Sequence, residues 1–165
     1  MSKISCLKSR QVFDSRGFPT IETDVFLTDG SVASAIIPSG ASTGSYEAHE
    51  LRDQNKEYLN KSVFKAVENV NIKINKVLKG MNPFDQAHID NTLIELDGTN
   101  NKSKIGANAI LSVSIANCKV AAKSKKKEIF EYLSTDEDYK LPYPLMNIVN
   151  GGAHANNSLN IQEFM

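Results

Sequence analysis

The strongest constraint on the fold is a change in the spacing of the apolar residues along the chain. Within residues 20–28 they recur at every second position, which is the period of a half-buried strand. The Asp29-Gly30 dipeptide that follows is a strong hairpin signal, and residues 31–37 supply the returning strand. Together with a weaker strand before residues 14–17, the start of the chain predicts a three-stranded antiparallel meander.

After position 60 the apolar residues recur every three or four positions, as in helices with one buried face. The first predicted helix has a buried stripe of Val63, Val67, Val70, Ile74 and Val77. Asn82-Pro83 predicts the N-cap and first turn of a second helix that continues to residue 96. The third, over 106–122, has the predicted stripe Ala107, Ile110, Leu111, Ser114, Cys118 and Ala121. Strands followed by helices indicate an α+β fold.

The segment 134–144 reads as a linker, because it combines acidic residues with two prolines. Beyond it, residues 145–149 and 160–165 are typical of two short strands, interrupted by the sequence Asn-Gly-Gly at 150–152. An isolated pair of strands is marginally stable in water. We therefore expect this last segment to need further structure to pack against.

The overall composition argues against several classes of partner. The chain has 165 residues, 41% of them apolar, and 19 basic residues balance 19 acidic ones. A neutral chain provides no global attraction for nucleic acid, and the basic cluster Lys123 with residues 125–127 is interpreted as the solvated end of a helix. Cys6 and Cys118 suit separate thiols in a reducing compartment. No secretory signal or membrane-length apolar stretch is visible, so we expect no membrane span and a cytoplasmic location.

Residues 38–44, Pro-Ser-Gly-Ala-Ser-Thr-Gly, form the first candidate for chemistry. Small residues in succession can present backbone N–H and hydroxyl groups to an oxyanion or a metal-bound phosphate. The same composition is more often that of an ordinary turn, and the Gly-Lys-Ser/Thr ending of a P-loop is missing. From the residues alone both interpretations stay open.

His154 and Glu163 are the other two candidates. His154 lies in a glycine-containing loop between the two predicted strands, where its side chain either binds a ligand or faces solvent. Glu163 has apolar neighbours, so its carboxylate is expected to be paired, metal-bound or raised in pKa, unless the strand lies at an exposed edge. Gln162 is predicted to face the opposite side of that strand. Residues 14–17 and 47–53 are predicted to form surface salt bridges or subunit contacts, with no catalytic role.

Six collinear segments together resemble the enolases, the glycolytic phosphopyruvate hydratases. They are residues 13–20, 38–44, 47–53, 96–111, 142–152 with His154, and 161–165. The resemblance implies an α+β amino-terminal capping domain over residues 1–140 and the first two strands of an enolase-type α/β barrel over residues 141–165. Because such a barrel takes ~250 residues, the chain is expected to be a fragment of a protein that usually forms homodimers.

The resemblance also implies a reaction, the reversible removal of water from 2-phosphoglycerate to give phosphoenolpyruvate, with two Mg²⁺ per active site. Ser42 matches the loop serine that ligates the second Mg²⁺, and Gly40 and Ala41 belong to the same substrate-covering loop. His154 matches the histidine that closes on the substrate. Gln162 and Glu163 match the active-site pair, with Glu163 as the acid that contacts the substrate hydroxyl.

Other parts of the family's active site fall in segments beyond residue 165, namely the carboxylates of the first Mg²⁺ and the lysine base. The 165-residue chain alone is therefore expected to be inactive. Two residues depart from the family pattern, Phe18 in place of Asn and Asn160 in place of Asp. A truncated, non-catalytic paralogue that acts as an interaction module is the alternative. A phosphate-binding transferase is disfavoured, because no lysine follows Gly44.

Overall fold

The computed structural model describes residues 2–40, 44–134 and 139–165. These residues form two compact units, a larger one that runs to Ser39 and continues over Gly44–Leu133, and a smaller one that contains Ser134–Met165. The larger unit contains, in order, β1 (Ile4–Phe13), β2 (Pro19–Leu27), β3 (Val32–Ile36), a 3₁₀ turn (Glu57–Asn60), α1 (Phe64–Glu68), a π-helical segment (Asn69–Ile74), α2 (Asn75–Leu78), α3 (Gln86–Asp97), α4 (Ala107–Ser124) and α5 (Ile129–Leu133). The smaller contains β4 (Val149–Asn150), a 3₁₀ turn (Gly152–His154) and β5 (Glu163–Phe164).

The first three strands form the predicted antiparallel meander, in the order β1-β2-β3. The alternation in β2 has the predicted consequence, because Ile21, Val25 and Leu27 are buried. On the opposite face, Arg10 lies 2.5 Å from Glu22 and 2.6 Å from Asp24. This part of the fold prediction is confirmed.

The outer edge of β1 is covered by side chains from the helical region. The Leu7 amide donates to Asn75 Oδ1 at 2.8 Å, and the Ser9 amide donates to Asn71 Oδ1 at 2.7 Å. Asn71 Nδ2 in turn donates to the Ser9 carbonyl at 3.0 Å. Unpaired strand edges invite pairing with other chains, so these amides close a potential site of edge-to-edge association.

The outer edge of β3 is covered in a similar way by α4. Lys119 Nζ donates to the Ser34 carbonyl at 3.2 Å, and Lys123 Nζ donates to the Val32 carbonyl at 3.0 Å. Because α4 ends at Ser124, the basic cluster does lie at the end of a helix, as the sequence predicts. Its first lysine is engaged with a strand rather than simply solvated.

The helix predicted from Val63 is present but is divided by the π-helical segment. The buried positions are Val63, Ala66, Val70, Ile74 and Leu78. Val77, predicted to be buried, is 39% exposed, so that part of the prediction is wrong. The wider turn of a π-helix lets the inward positions recur every four residues, which brings Leu78 rather than Val77 onto the core.

The second helix begins later than predicted. It starts at Gln86, and Asp85 is its N-cap, with its carboxylate accepting a hydrogen bond from the His88 amide at 3.1 Å. Asn82 instead accepts from the Phe84 amide at 3.2 Å, two residues ahead of it. The local hydrogen bond of Asn82 makes a turn before the helix rather than the helix cap.

The buried face predicted for the third helix is only partly right: Ala121 is fully buried, but other positions of the stripe are not. Leu111 is 47% exposed, whereas Ser112, Val113 and Ala116 are fully buried. Ser112 Oγ lies 2.8 Å from Thr23 Oγ1 of β2, so a pair of hydroxyls joins helix to sheet. Small and polar residues occupy this close contact between helix and sheet. The apolar pattern alone therefore did not predict the correct face along most of the helix.

In the smaller unit β4 and β5 pair antiparallel, Val149 opposite Phe164 and Asn150 opposite Glu163. Each strand is two residues long, shorter than the segments predicted from the sequence. The division at residue 140 stays a prediction. In the described parts of the chain, no helix combines the length and the apolar character that crossing a bilayer requires.

Candidate active site

Three of the predicted site residues meet around the imidazole ring of His154. Its Nδ1 lies 2.6 Å from Glu163 Oε1, and its Nε2 lies 3.0 Å from Gln162 Nε2. The side chains of His154 and Glu163 are 26% and 34% exposed, so both can reach a ligand from solvent. Glu163 is thus a paired carboxylate, but the strand that carries it is exposed rather than buried, because both residues of β5 are exposed.

A short hairpin brings these side chains together, although His154 and Glu163 are nine positions apart in sequence. The Gly151 amide donates to the Gln162 carbonyl at 3.0 Å, and the Gly152 amide donates to the Leu159 carbonyl at 2.8 Å. The two ends of the loop are therefore fixed to each other, and the His154 amide donates back to Gly151 at 3.0 Å.

Gly151 is required by close packing in this hairpin. A Cβ at position 151 would lie 2.5 Å from the Ile161 carbonyl oxygen and 2.6 Å from the Leu159 carbonyl oxygen. Real Cβ atoms do not approach backbone oxygens so closely, so any side chain would push the strands apart. The glycine thereby maintains the geometry that lets Glu163 reach the ring.

The prediction that Gln162 faces away from Glu163 is wrong, because both side chains contact the same ring. Strict alternation applies within a strand, but β5 begins only at Glu163 and Gln162 lies outside it. The only sequence signal for the direction of Gln162 is that few residues separate Asn160 from the strand, so Gln162 falls before the strand begins.

In the larger unit, the chain just before residue 40 is held by charged side chains. Arg16 Nη2 donates to the Ser39 carbonyl at 2.5 Å, and Ser39 Oγ donates to Glu50 Oε2 at 2.9 Å. The other Glu50 oxygen accepts from Arg52 at 2.7 Å. These groups were predicted as surface salt bridges, and the structure adds a contact with the root of the 38–44 loop that the sequence did not reveal.

The chain after this loop is fixed to the start of α4. The His49 amide donates to the Asn101 carbonyl at 2.6 Å, and the Ala107 amide donates to the His49 carbonyl at 2.8 Å. The Asn108 side chain accepts from the Leu51 amide and donates to the Leu51 carbonyl, both at 3.1 Å. Ser39 and residues 49–51 are thus both anchored within the larger unit.

The Asp14–Gly17 turn next to this root is organised by one carboxylate. Asp14 Oδ1 accepts from the Phe18 and Arg16 amides, both at 2.9 Å. The Phe18 amide is the largest of the effects that hold the pKa of Asp14 below its ordinary value. The turn is therefore formed with Phe18 in the position where the family usually has Asn.

The remaining predicted site residues are placed as follows. Gly40 is exposed and lies in no regular element. Ala41 and Ser42 lie outside the described residues. Within residues 2–40, 44–134 and 139–165, no group of three or more His, Cys, Asp or Glu side chains could hold a metal ion. The described residues therefore do not provide a magnesium site by themselves.

The His154 arrangement brings a carboxylate and an amide to the two nitrogens of one partly exposed imidazole ring. A histidine paired with a carboxylate can move protons near neutral pH, and an adjacent amide can bind polar ligand groups. Such a set suits acid–base work on a small polar substrate.

Comparison with known proteins gives consistent matches along the whole chain. Residues 4–133 match the family model for the enolase N-terminal domain, and residues 138–165 match the model for the enolase C-terminal TIM barrel domain. The chain is 60% identical over 166 aligned positions to the enolase of Pelagibacter ubique (strain HTCC1062) and 54% identical to that of Tropheryma whipplei (strain Twist). All of this chain is covered, but only 40% and 39% of those two relatives.

The fold and these matches define an α+β capping domain that leads into the start of a TIM barrel domain. The chain belongs to the enolase family. It spans about two fifths of the length of the curated relatives it matches.

Proposed function

We propose that the full-length protein carrying this sequence is a phosphopyruvate hydratase of glycolysis, which interconverts 2-phosphoglycerate and phosphoenolpyruvate with loss or gain of water. The observation that carries the proposal is the convergence of Glu163 and Gln162 on the ring of His154, with contacts of 2.6 and 3.0 Å. Family membership supports it, because the resemblance to the enolases implies active-site roles for all three residues.

Glu163 is assigned the proton-transfer role. When water leaves, the departing hydroxyl needs a proton, and the Glu163 carboxyl donates it; in the reverse direction the carboxylate accepts a proton from the incoming water. The 34% exposure of its side chain leaves room for this contact. His154 and Gln162 bind the polar groups of the substrate, together with Gly40 and Ala41 of the loop.

The metal requirement is part of the same proposal. Two Mg²⁺ ions, when bound, would stabilise the negative charge that develops on the substrate carboxylate. Ser42 is assigned as a ligand of the second ion, and the other ligands are expected from outside the residues described. For this reason we also propose that the 165 residues alone are inactive, and that the complete protein acts as a cytoplasmic homodimer.

The test is a direct assay of the full-length protein. With Mg²⁺ and 2-phosphoglycerate, we expect phosphoenolpyruvate to appear as ultraviolet absorbance, and we expect a chelator to abolish and added Mg²⁺ to restore the reaction. Glu163→Gln should lower kcat by about 10²–10⁴, the usual contribution of a positioned acid or base. The matched control is Glu95→Gln on the exposed face of α3, which should leave kcat unchanged.

Two results would contradict the proposal. One is a folded full-length protein that does not convert 2-phosphoglycerate in the presence of Mg²⁺. The other is a Glu163→Gln variant as active as Glu95→Gln. Turnover by the 165-residue chain alone would refute the proposed inactivity of that portion.

A further inference from the structure

The contacts of His154 specify which of its two ring nitrogens carries the proton. The side-chain amide nitrogen of Gln162 is a donor and cannot accept. It lies 3.0 Å from Nε2 of His154, so in this orientation of the amide Nε2 is the acceptor and is unprotonated. A neutral imidazole with a bare Nε2 carries its proton on Nδ1.

The contact on the other side of the ring requires the same proton position. Nδ1 lies 2.6 Å from Glu163 Oε1, and an ionised carboxylate can only accept. A proton on Nδ1 satisfies this contact as a short, charge-assisted hydrogen bond. Two neighbours with opposite hydrogen-bonding character therefore select a single tautomer from the two available.

In the described part of the chain, the side chains that contact the two ring nitrogens are Glu163 and Gln162. Within residues 139–165 the charged side chains other than His154 are Lys140 and Glu163, and the loop 150–160 contains no other ionisable residue. The backbone of Gln162 is fixed by the Gly151 amide at 3.0 Å, so its side chain starts from a defined position.

We propose that Gln162 is a positioning residue that holds His154 as the Nδ1–H tautomer. With its lone pair on Nε2, the ring repels an anionic ligand there, since both groups are acceptors. It binds such a ligand through Nε2–H only after the Gln162 amide turns away and the ring takes up a second proton from solvent. This consequence for ligand binding rests on the proposed function, in which His154 meets a phosphorylated acid.

The experiment is nitrogen NMR of the full-length protein labelled at histidine, with His154→Asn used to assign the signal. At a pH where the ring is neutral, we expect the Nδ1–H form in at least about tenfold excess, the ratio that one hydrogen bond to a charged group supports. Gln162→Met keeps a similar shape without the donor; because the Glu163 contact still favours Nδ1–H, we expect the share of the Nε2–H form to rise by about two- to tenfold, the factor that one neutral hydrogen bond supports. Asn156→Ala in the same loop is the control and should leave the ratio unchanged.

A second variant tests the polarity of the contact. Gln162→Glu places an acceptor against Nε2, so the ring should remain doubly protonated to higher pH, with the titration midpoint raised by about one unit or more. Predominance of Nε2–H in the unsubstituted protein would overturn the proposal. So would equal tautomer ratios before and after Gln162→Met.

The tautomer measurement is independent of turnover, because the spectrum is recorded without substrate or metal. An inactive protein whose His154 tautomer depends on Gln162 would refute the proposed reaction and support the positioning role. An active hydratase with a predominant Nε2–H ring would support the reaction and refute the positioning role.

Discussion

Replacing Asp97 by Asn should destabilise the larger unit strongly, although the change is nearly isosteric. Asp97 lies at the end of α3 and is 1% exposed. One carboxylate oxygen accepts from the Thr99 amide at 3.0 Å and from the Thr99 hydroxyl. The other accepts from the Lys104 amide at 3.1 Å and the Ile105 amide at 2.6 Å. One side chain thus closes the loop 98–105 onto the helix.

The size of the effect follows from these four bonds. Asn keeps one oxygen and replaces the other with an NH₂ group, so two donors lose their acceptor and face another donor. A hydrogen bond to a charged group contributes about 1.5–3 kcal/mol, so the two lost bonds give a loss of about 3 kcal/mol or more in the free energy of unfolding. With a urea slope of about 2 kcal/mol per M, the unfolding midpoint should fall by about 1.5 M.

The assay is urea unfolding followed by circular dichroism, with Glu95→Gln as the control that removes one exposed charge from the same helix. That control should change the free energy of unfolding by no more than about 0.5 kcal/mol. A loss in Asp97→Asn below about 1 kcal/mol would refute the reasoning, because it would mean that the loop does not depend on the carboxylate.

The pH dependence provides a second check on Asp97. Burial raises the pKa of Asp97, but the hydrogen bonds from Thr99, Ile105 and Lys104 outweigh it and lower the pKa below its ordinary value of 3.8. A group whose pKa is lowered by folding contributes stability above its unfolded pKa, and this is lost as pH falls through the folded pKa. The difference between the unsubstituted chain and Asp97→Asn should therefore be largest near neutral pH and should shrink in acid.

Three further predictions follow from single contacts. Gly151→Ala should disrupt the β4–β5 hairpin, because its Cβ would lie 2.5 Å from a carbonyl oxygen, and the His154 NMR signal should change; Gly30→Ala, whose Cβ would meet nothing within 4 Å, should leave that signal unchanged. Ser112→Val should cost about 1–3 kcal/mol in urea unfolding by overpacking the contact with Thr23, and more than Ser112→Ala. The pKa of Asp29 is lowered to about 2, mainly by the Ser124 hydroxyl. The stability that Asp29 contributes is therefore present above its ordinary pKa of 3.8 and is lost as pH falls through about 2. Ser124→Ala should raise the pKa of Asp29 in a carboxylate NMR titration, and an unchanged value would refute the assignment.

The sequence predicted the sheet well because a period of two leaves little choice. A shift of one residue in β2 would move Ile21 and Val25 from the core to solvent, so the pattern specifies both the face and the register. The Asp29-Gly30 turn adds a local signal that agrees with the pattern. The strands were therefore predictable from local information alone.

The helical faces were harder to predict, because apolar pattern and burial diverge where polar residues are buried. Asn108 and Asn117 are 3% and 0% exposed on α4, although an amide side chain normally indicates the solvent side. Asn108 is satisfied by the backbone of Leu51, and Asn117 donates to the Pro83 carbonyl at 3.0 Å. These partners are tens of residues away in sequence, so no local pattern contains them.

Three residues named from the sequence do meet at one ring, but their contacts were not predicted and their roles stay a prediction. The glycines at 151 and 152 and the polar residue at 154 indicated a functional loop, and Glu163 was expected to have a partner. That its partner is His154 depends on a hairpin only two residue pairs long. So short a ladder lacks the alternation from which side-chain direction is predicted, which is why Gln162 was assigned to the wrong side.

The buried polar groups of the larger unit have a common role that connects its stability to the proposed function. Asp53 accepts from the Phe64 and Lys65 amides at 2.7 and 3.0 Å, Asn108 pairs with Leu51, and Asp97 closes the loop before α4. Asn108 and Asp97 hold irregular backbone, Asp53 holds the first two amides of α1, and none is paired with another charged side chain in these contacts. Since four residues separate residues 49–53 from the 38–44 loop that carries Ser42, these anchors fix the chain a short distance beyond the carboxyl-terminal side of that loop. Their loss would therefore impair a loop-dependent reaction through displaced backbone, even though none of the three is proposed to touch the substrate.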